Sequence, residues 1–111
     1  ARIRHEADEK VAMFKEVLEI DPEDPIATMG LGAAYMQLER YEDAIAPLET
    51  AVRVKKDYSA AYLNLGKCLE FLQRDDAAVA AYRAGIEAAS RKGDLMPLRE
   101  MERRLRALPG S

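Results

Sequence analysis

The chain has 111 residues, 49% of them apolar and 33% charged, with six Gly, five Pro and a formal net charge of −3. This is the balance of a folded, helix-rich domain with one core, which at this length buries roughly two-thirds of its unfolded surface, and it excludes a disordered tail. No apolar run approaches the ~18 residues of a membrane span, the opening Ala1-Arg2-Ile3-Arg4-His5-Glu6 has no leader core, and the single Cys68 excludes an internal disulfide framework. The expected location is therefore cytoplasmic. The charge is unevenly spread. Residues 1–24 hold four Lys/Arg against eight Asp/Glu, net −4, whereas residues 91–108 hold six against three, net +3. Either both ends are ordinary solvated helix faces, or the acidic end of one molecule meets the basic end of another.

Ile3, Ala7, Val11, Phe14 and Leu18 recur every three or four residues and predict a helix over residues 2–20 whose other faces are charged. Asp21-Pro22 stops it, because proline disfavours a helical residue before it and supplies no amide hydrogen. Asp24-Pro25 offers an N-cap and a first-turn proline for a helix running to about Leu38. Glu39-Arg40 make a tight connection to a helix over about 41–55, in which Pro47 removes one backbone hydrogen bond and predicts a bend rather than a break. The next two helices are expected over about 59–72 and 75–91, with Ser59 and Asp75 as caps and Gly93 as terminator. A last helix starts at the cap Asp94, tolerates Pro97 in its first turn, carries the stripe Leu98, Met101, Leu105 and Leu108, and ends before Pro109-Gly110.

Residues 25–58 align with residues 59–92 at an offset of 34: Ala27 meets Ala61, Leu31-Gly32 meets Leu65-Gly66, Leu38 meets Leu72, Arg40 meets Arg74, Ala44 meets Ala78 and Ala46 meets Ala80. Thr28, Leu31-Gly32, Tyr35, Ala44 and Leu48 in the first copy, and Tyr62, Leu65-Gly66, Leu69, Ala78 and Tyr82 in the second, follow the 34-residue helix–turn–helix pattern of a large residue, Leu-Gly, an aromatic position, then Ala and another aromatic position. The chain resembles the tetratricopeptide repeat (TPR) family. That resemblance implies an all-α, right-handed helical-repeat solenoid of about six helices: an N-terminal half repeat over 1–24, repeats at 25–58 and 59–92, and a capping helix over 93–111. Phe14…Pro22 matches the back half of a further motif, with Lys10 where the family prefers Ala, as expected if that face is open to water. The chain opens without Met and closes on Gly110-Ser111, so it is also compatible with being a piece of a longer array.

Each helix pair is apolar on more than one side, so stacking neighbours is what removes the wet hydrophobic face. Gly32 and Gly66 fall mid-helix, where glycine costs about 1 kcal/mol relative to alanine. Close approach of the partner helix, helped by small Ala44 and Ala78 opposite, is the expected compensation. Ala34 and Cys68 are repeat equivalents, which makes Cys68 a small core residue. Residues 94–108 have Arg99-Glu100 where a Leu-Gly pair would stand, and Arg99, Glu100, Glu102, Arg103, Arg104 and Arg106 are expected to form the solvated face of the last helix.

Little points to catalysis. His5 is the only histidine and has no second ligand for a zinc site, and no phosphate loop, nucleophile elbow or metalloprotease motif occurs. No cofactor or metal is expected. Glu23-Asp24 and Asp75-Asp76 lie at helix starts, where the dipole favours carboxylates. The acidic total and the small Lys55-Lys56 and Arg103-Arg104 pairs argue against nucleic-acid binding.

In TPR proteins the first helices of successive pairs line a concave surface. Carried over by position, the groove residues would be Ile26, Met29, Ala33, Met36 and Gln37, then Ala60, Leu63, Asn64, Lys67, Glu70 and Phe71. If exposed, Met29, Met36, Leu63 and Phe71 suit an amphipathic helix or extended peptide; if a terminal helix covers them, they are core. One branch of the family grips the C-terminal carboxylate of heat-shock chaperones with Lys and Asn, then Asn, then Lys and Arg. The matching positions here hold Met29 and Ala33, Asn64, and Asp94 and Leu98, so only Asn64 fits and chaperone-tail binding is not expected. The resemblance implies a non-catalytic protein–protein interaction scaffold that takes a partner's peptide or helix, without nucleic acid or membrane. Two further readings stay open: self-assembly into a homo-oligomer through the unpaired N-terminal helix, and a small export-type chaperone for a hydrophobic client.

Overall fold

A computed structural model describes residues 2–110. Among them are six helices and no strand: α1 (Arg2–Ile20), α2 (Pro25–Gln37), α3 (Tyr41–Val54), α4 (Ser59–Phe71), α5 (Asp75–Lys92) and α6 (Leu95–Ala107). The fold is an all-α helical-repeat solenoid. Each helix packs on the next, and α4 also touches α2 and α6, so α2, α4 and α6 form one layer and α1, α3 and α5 the other. No helix among the described residues is long and apolar enough to cross a membrane.

Local chemistry sets the helix ends. The Asp24 carboxylate accepts from the Ile26 and Ala27 amides at 2.9 and 3.1 Å, giving α2 its side-chain cap. Ser59 and Asp75 are not caps. Each is the first helical residue, behind N-caps Tyr58 and Arg74 that make no side-chain capping bond. The Ser59 hydroxyl turns back to the Asp57 carbonyl at 3.5 Å, and Asp75 lies in the first turn of α5, where the helix dipole favours it. Asp94 occupies the N-cap position of α6 without a side-chain bond. The turns out of α2 and α4 use left-handed residues that are not glycine, Glu39 (φ 58) and Gln73 (φ 59). The next amides, of Arg40 and Arg74, reach back to the Tyr35 and Leu69 carbonyls at 2.8 Å each and close both turns alike. Gly93 (φ 75) ends α5, and α3 runs unbroken through Pro47.

The core joins both layers through Leu31, Tyr35, Leu48, Leu65, Leu69, Tyr82 and Met101. Ala7, Val11, Phe14 and Leu18 pack α1 against it, but Ile3 is 68% exposed. At 19 residues α1 is longer than the 13-residue α2, and Ile3 lies beside Gln37 and Glu39, where α2 has ended. Gly32 and Gly66 do mark close approaches, and the atoms nearest to each missing side chain belong to Leu48 and Tyr82 rather than to Ala44 and Ala78. A Cβ at Gly32 would meet Leu48 Cγ at 2.5 Å, and one at Gly66 would meet the Tyr82 ring at 2.2 Å. A large side chain from the outer helix lies directly over each glycine. Tyr82 is fully buried, and its hydroxyl donates to Glu70 of α4.

Helix propensity alone favours Gly66→Ala by about 1 kcal/mol, whereas overpacking against a ring with no room to move costs roughly 1–3 kcal/mol or more. We expect Gly66→Ala to lower the melting temperature; an unchanged or higher value would contradict the packing. Burial pushes the Cys68 thiol from 9.0 up to about 11. Burial, then the hydrogen bond to Glu70, raises the Tyr82 phenol well above its ordinary value. Both groups keep their protons when folded at pH values where the unfolded chain releases them, so stability falls as pH rises above about 9. Urea midpoints should decline from pH 8.5 to 11 and decline less in Cys68→Ala; a flat or rising profile would contradict this.

Candidate functional site

The inner layer presents an open depression of about 450 Å³, lined by Ala33, Met36 and Gln37 of α2, Tyr41 at the start of α3, Asn64, Lys67 and Phe71 of α4, and Arg104 of α6. Helical spacing puts these residues on one side. Residues 33, 36 and 37 share a face of α2, and 64, 67 and 71 share the equivalent face of α4. A second depression of about 260 Å³ lies alongside, between Glu70, Phe71 and Arg104. Six of the eleven groove residues expected from sequence therefore share one depression, and Glu70 borders its neighbour. The remaining four line neither. Ile26 is 68% exposed in the first turn of α2, while Met29 and Leu63 are half-buried and pack against the core. Ala60 is half-buried.

Tyr41 and Arg104 are additions that sequence reasoning did not make. The Tyr41 and Phe71 rings stack at 4.4 Å between centroids and 7° between planes, forming an aromatic platform at one edge. Phe71 remains 59% exposed. Arg104 was expected on the solvated face of α6 together with Glu100. Instead both are half-buried, with Arg104 Nε on Glu100 at 3.0 Å and Nη1 on Glu70 at 3.5 Å. The reason is Glu70, whose carboxylate, already accepting from Tyr82, draws the guanidinium inward. Burial works against that charge, but the bond to Glu100 and the nearby carboxylates outweigh it and raise Arg104 above its ordinary value. One signal for Arg104 was available: it lies 34 residues after Glu70, which lies 34 after Met36.

The lining is chemically mixed. Ala33, Met36, Tyr41 and Phe71 supply apolar surface, and the Gln37 and Asn64 amides supply donors and acceptors of the kind a peptide backbone needs. Asn64 Nδ2 donates weakly to Met29 Sδ at 3.7 Å, which orients the amide. Arg104 is neutralised by its two carboxylates, whereas Lys67 has no ion pair among the described residues. No group of three or more His, Cys, Asp or Glu side chains able to hold a metal occurs among the described residues.

Two models of the tetratricopeptide repeat match the chain, over residues 5–57 and 34–92. The human tetratricopeptide repeat protein 28 is 29% identical over 76 residues, which are 68% of this chain and 3% of that protein, so the chain spans only a small part of that relative's length. Among solved structures, a tetratricopeptide repeat domain protein from Salinibacter ruber is 34% identical with a TM-score of 0.68, covering 77% of this chain and 86% of that one. PcrH in complex with the chaperone binding region of PopD superposes with a TM-score of 0.87 over 93% of this chain and 78% of that one, at 18% identity, a likeness of fold. With a model matched over more than half its length and the fold shared, the chain belongs to the tetratricopeptide repeat family.

Proposed function

We propose that this chain is a protein-interaction module whose depression between α2, α4 and α6 receives a segment of a partner protein. The observation that carries the reading is Phe71, a large aromatic left 59% exposed on a rigid helix and braced by Tyr41. Burying such a ring against a partner contributes on the order of 1.5–3 kcal/mol. Beside it, the Gln37 and Asn64 amides fix the partner's backbone and Lys67 offers an unpaired charge. The side chains stand on packed helices, so little ordering entropy is lost on docking. The role is binding rather than catalysis, in the cytoplasm, with protein partners rather than nucleic acid or membrane. In this reading residues 25–58 and 59–92 are the two repeats that build the site, α1 is a half repeat and α6 closes the inner layer. The PcrH structure, with a region of another protein bound to a similar fold, supports it.

The test is a display selection of random peptides on the purified chain, followed by calorimetric titration of the selected peptides. Phe71→Asp should weaken them at least tenfold, while Ala77→Asp, at an exposed position on α5, should leave affinity unchanged. Peptides that bind the wild type and Phe71→Asp equally would place recognition elsewhere.

A further inference from the structure

Lys67 is the one charge in the depression between α2, α4 and α6 that the fold leaves without a counter-ion. None of the eight side chains lining that depression is acidic. Arg104, the other cation among them, is held by Glu70 and Glu100. Glu70 stands three residues after Lys67 on α4, a spacing at which opposite charges on a helix pair. Its carboxylate is engaged instead by the Tyr82 hydroxyl and by Arg104. On α2 the repeat-equivalent position is Ala33, which brings space rather than charge. Lys67 is therefore a half-buried ammonium with no ion pair among the described residues. A charge partly withdrawn from water is stabilised by a partner that supplies the opposite one.

We propose that the occupant of the depression is an extended internal segment of a partner protein, with an acidic side chain on Lys67 and, two residues away, a large apolar side chain on Phe71. This rests on the reading of the depression as a docking site and names what docks there. Lys67 and Phe71 are four residues apart on α4, a rise of about 6 Å, and side chains two apart on one face of an extended segment are separated by about 6.6 Å. A helical partner offers the same separation at four residues, but its backbone groups are already paired with one another. The Gln37 and Asn64 amides favour a backbone whose N–H and C=O groups are free. Asn64 gives only its weak bond to Met29 Sδ, at 3.7 Å, and keeps its oxygen for an incoming N–H. Asn64 and Phe71 lie about one turn to either side of Lys67, so the segment runs past the lysine in both directions. The carboxylate is thus that of a side chain and not of a chain end.

Two phage libraries of random peptides, one with blocked and one with free C-termini, are selected on the 111-residue chain, and the peptides weakened by Phe71→Asp are kept. Those from the blocked library should share Asp or Glu two positions from a large apolar residue. In calorimetric titrations of the amidated peptides at about 50 mM salt, where charge pairs are only partly screened, Lys67→Gln should weaken binding about fivefold, the upper end for a partly exposed pair. Replacing the peptide's Glu by Gln should weaken binding to the wild type by the same factor and leave binding to Lys67→Gln unchanged. Selection on Lys67→Glu, with unchanged far-UV circular dichroism, should favour Lys or Arg at that peptide position. Phe71-dependent peptides that show no acidic preference, that bind wild type and Lys67→Glu equally, that place the acid four positions from the apolar residue, or that come from the free-ended library alone would each overturn this inference and leave the depression as the docking site. The absence of any Phe71-dependent peptide from both libraries would overturn that reading and this inference together.

Discussion

The interlock of one large side chain over one helical glycine is the constraint on which the rest of the structure depends. Leu48 covers Gly32 and Tyr82 covers Gly66, both where a methyl group would collide. The device extends to the ends of the stack, with the Phe14 ring on Gly30 and Met101 with Tyr62 on Gly85. Phe14, Leu48 and Tyr82 are 34 residues apart, so one position of the repeat supplies three of these covering side chains. Each glycine costs about 1 kcal/mol of helix propensity, and the burial it permits returns roughly 1.5–3 kcal/mol for a side chain of this size. Packing wins.

The candidate site follows from that arrangement. Because Tyr82 lies over Gly66, its hydroxyl arrives beside Glu70, and Glu70 in turn draws Arg104 inward from α6. One buried aromatic thus links α4, α5 and α6 and brings a side chain of the last helix to the edge of the depression. The other edge depends on the left-handed turn at Glu39, which starts α3 close to the end of α2 and lets the Tyr41 ring lie flat on Phe71. The Arg104 and Glu70 charges at the edge of the depression are paired within the fold, so its lining is mainly apolar and amide-like.

Much of this was legible because identities at a fixed offset fall at packing positions. The Leu-Gly pairs, Ala44 and Ala78, and the Asp24-Pro25 start located α2 to α5 to within a residue of their ends. The inward faces of α2 and α4 came from the resemblance to the repeat family, carried over position by position. What was not legible depends on tertiary neighbours. Ser59 and Asp75 look like caps, but α4 and α5 begin without side-chain caps, and the turn before α5 is set by Gln73 in a conformation that its residue type does not advertise. Small Ala44 and Ala78 looked like the partners of the glycines, because nothing in the sequence says which residue on a facing helix reaches furthest. Arg104 reads as one more solvated arginine until the carboxylate it meets is known.

A double-mutant cycle on Gly32 and Leu48 tests the interlock most directly. Gly32→Ala alone introduces a collision, and Leu48→Ala alone leaves a cavity. In the double variant the new methyl group occupies space that the leucine has vacated. Denaturant unfolding of the four proteins should show the double variant less destabilised than the sum of the single changes by more than about 1 kcal/mol. Additivity within about 0.5 kcal/mol would mean that the two residues do not act on one another, and the account built on their contact would fail.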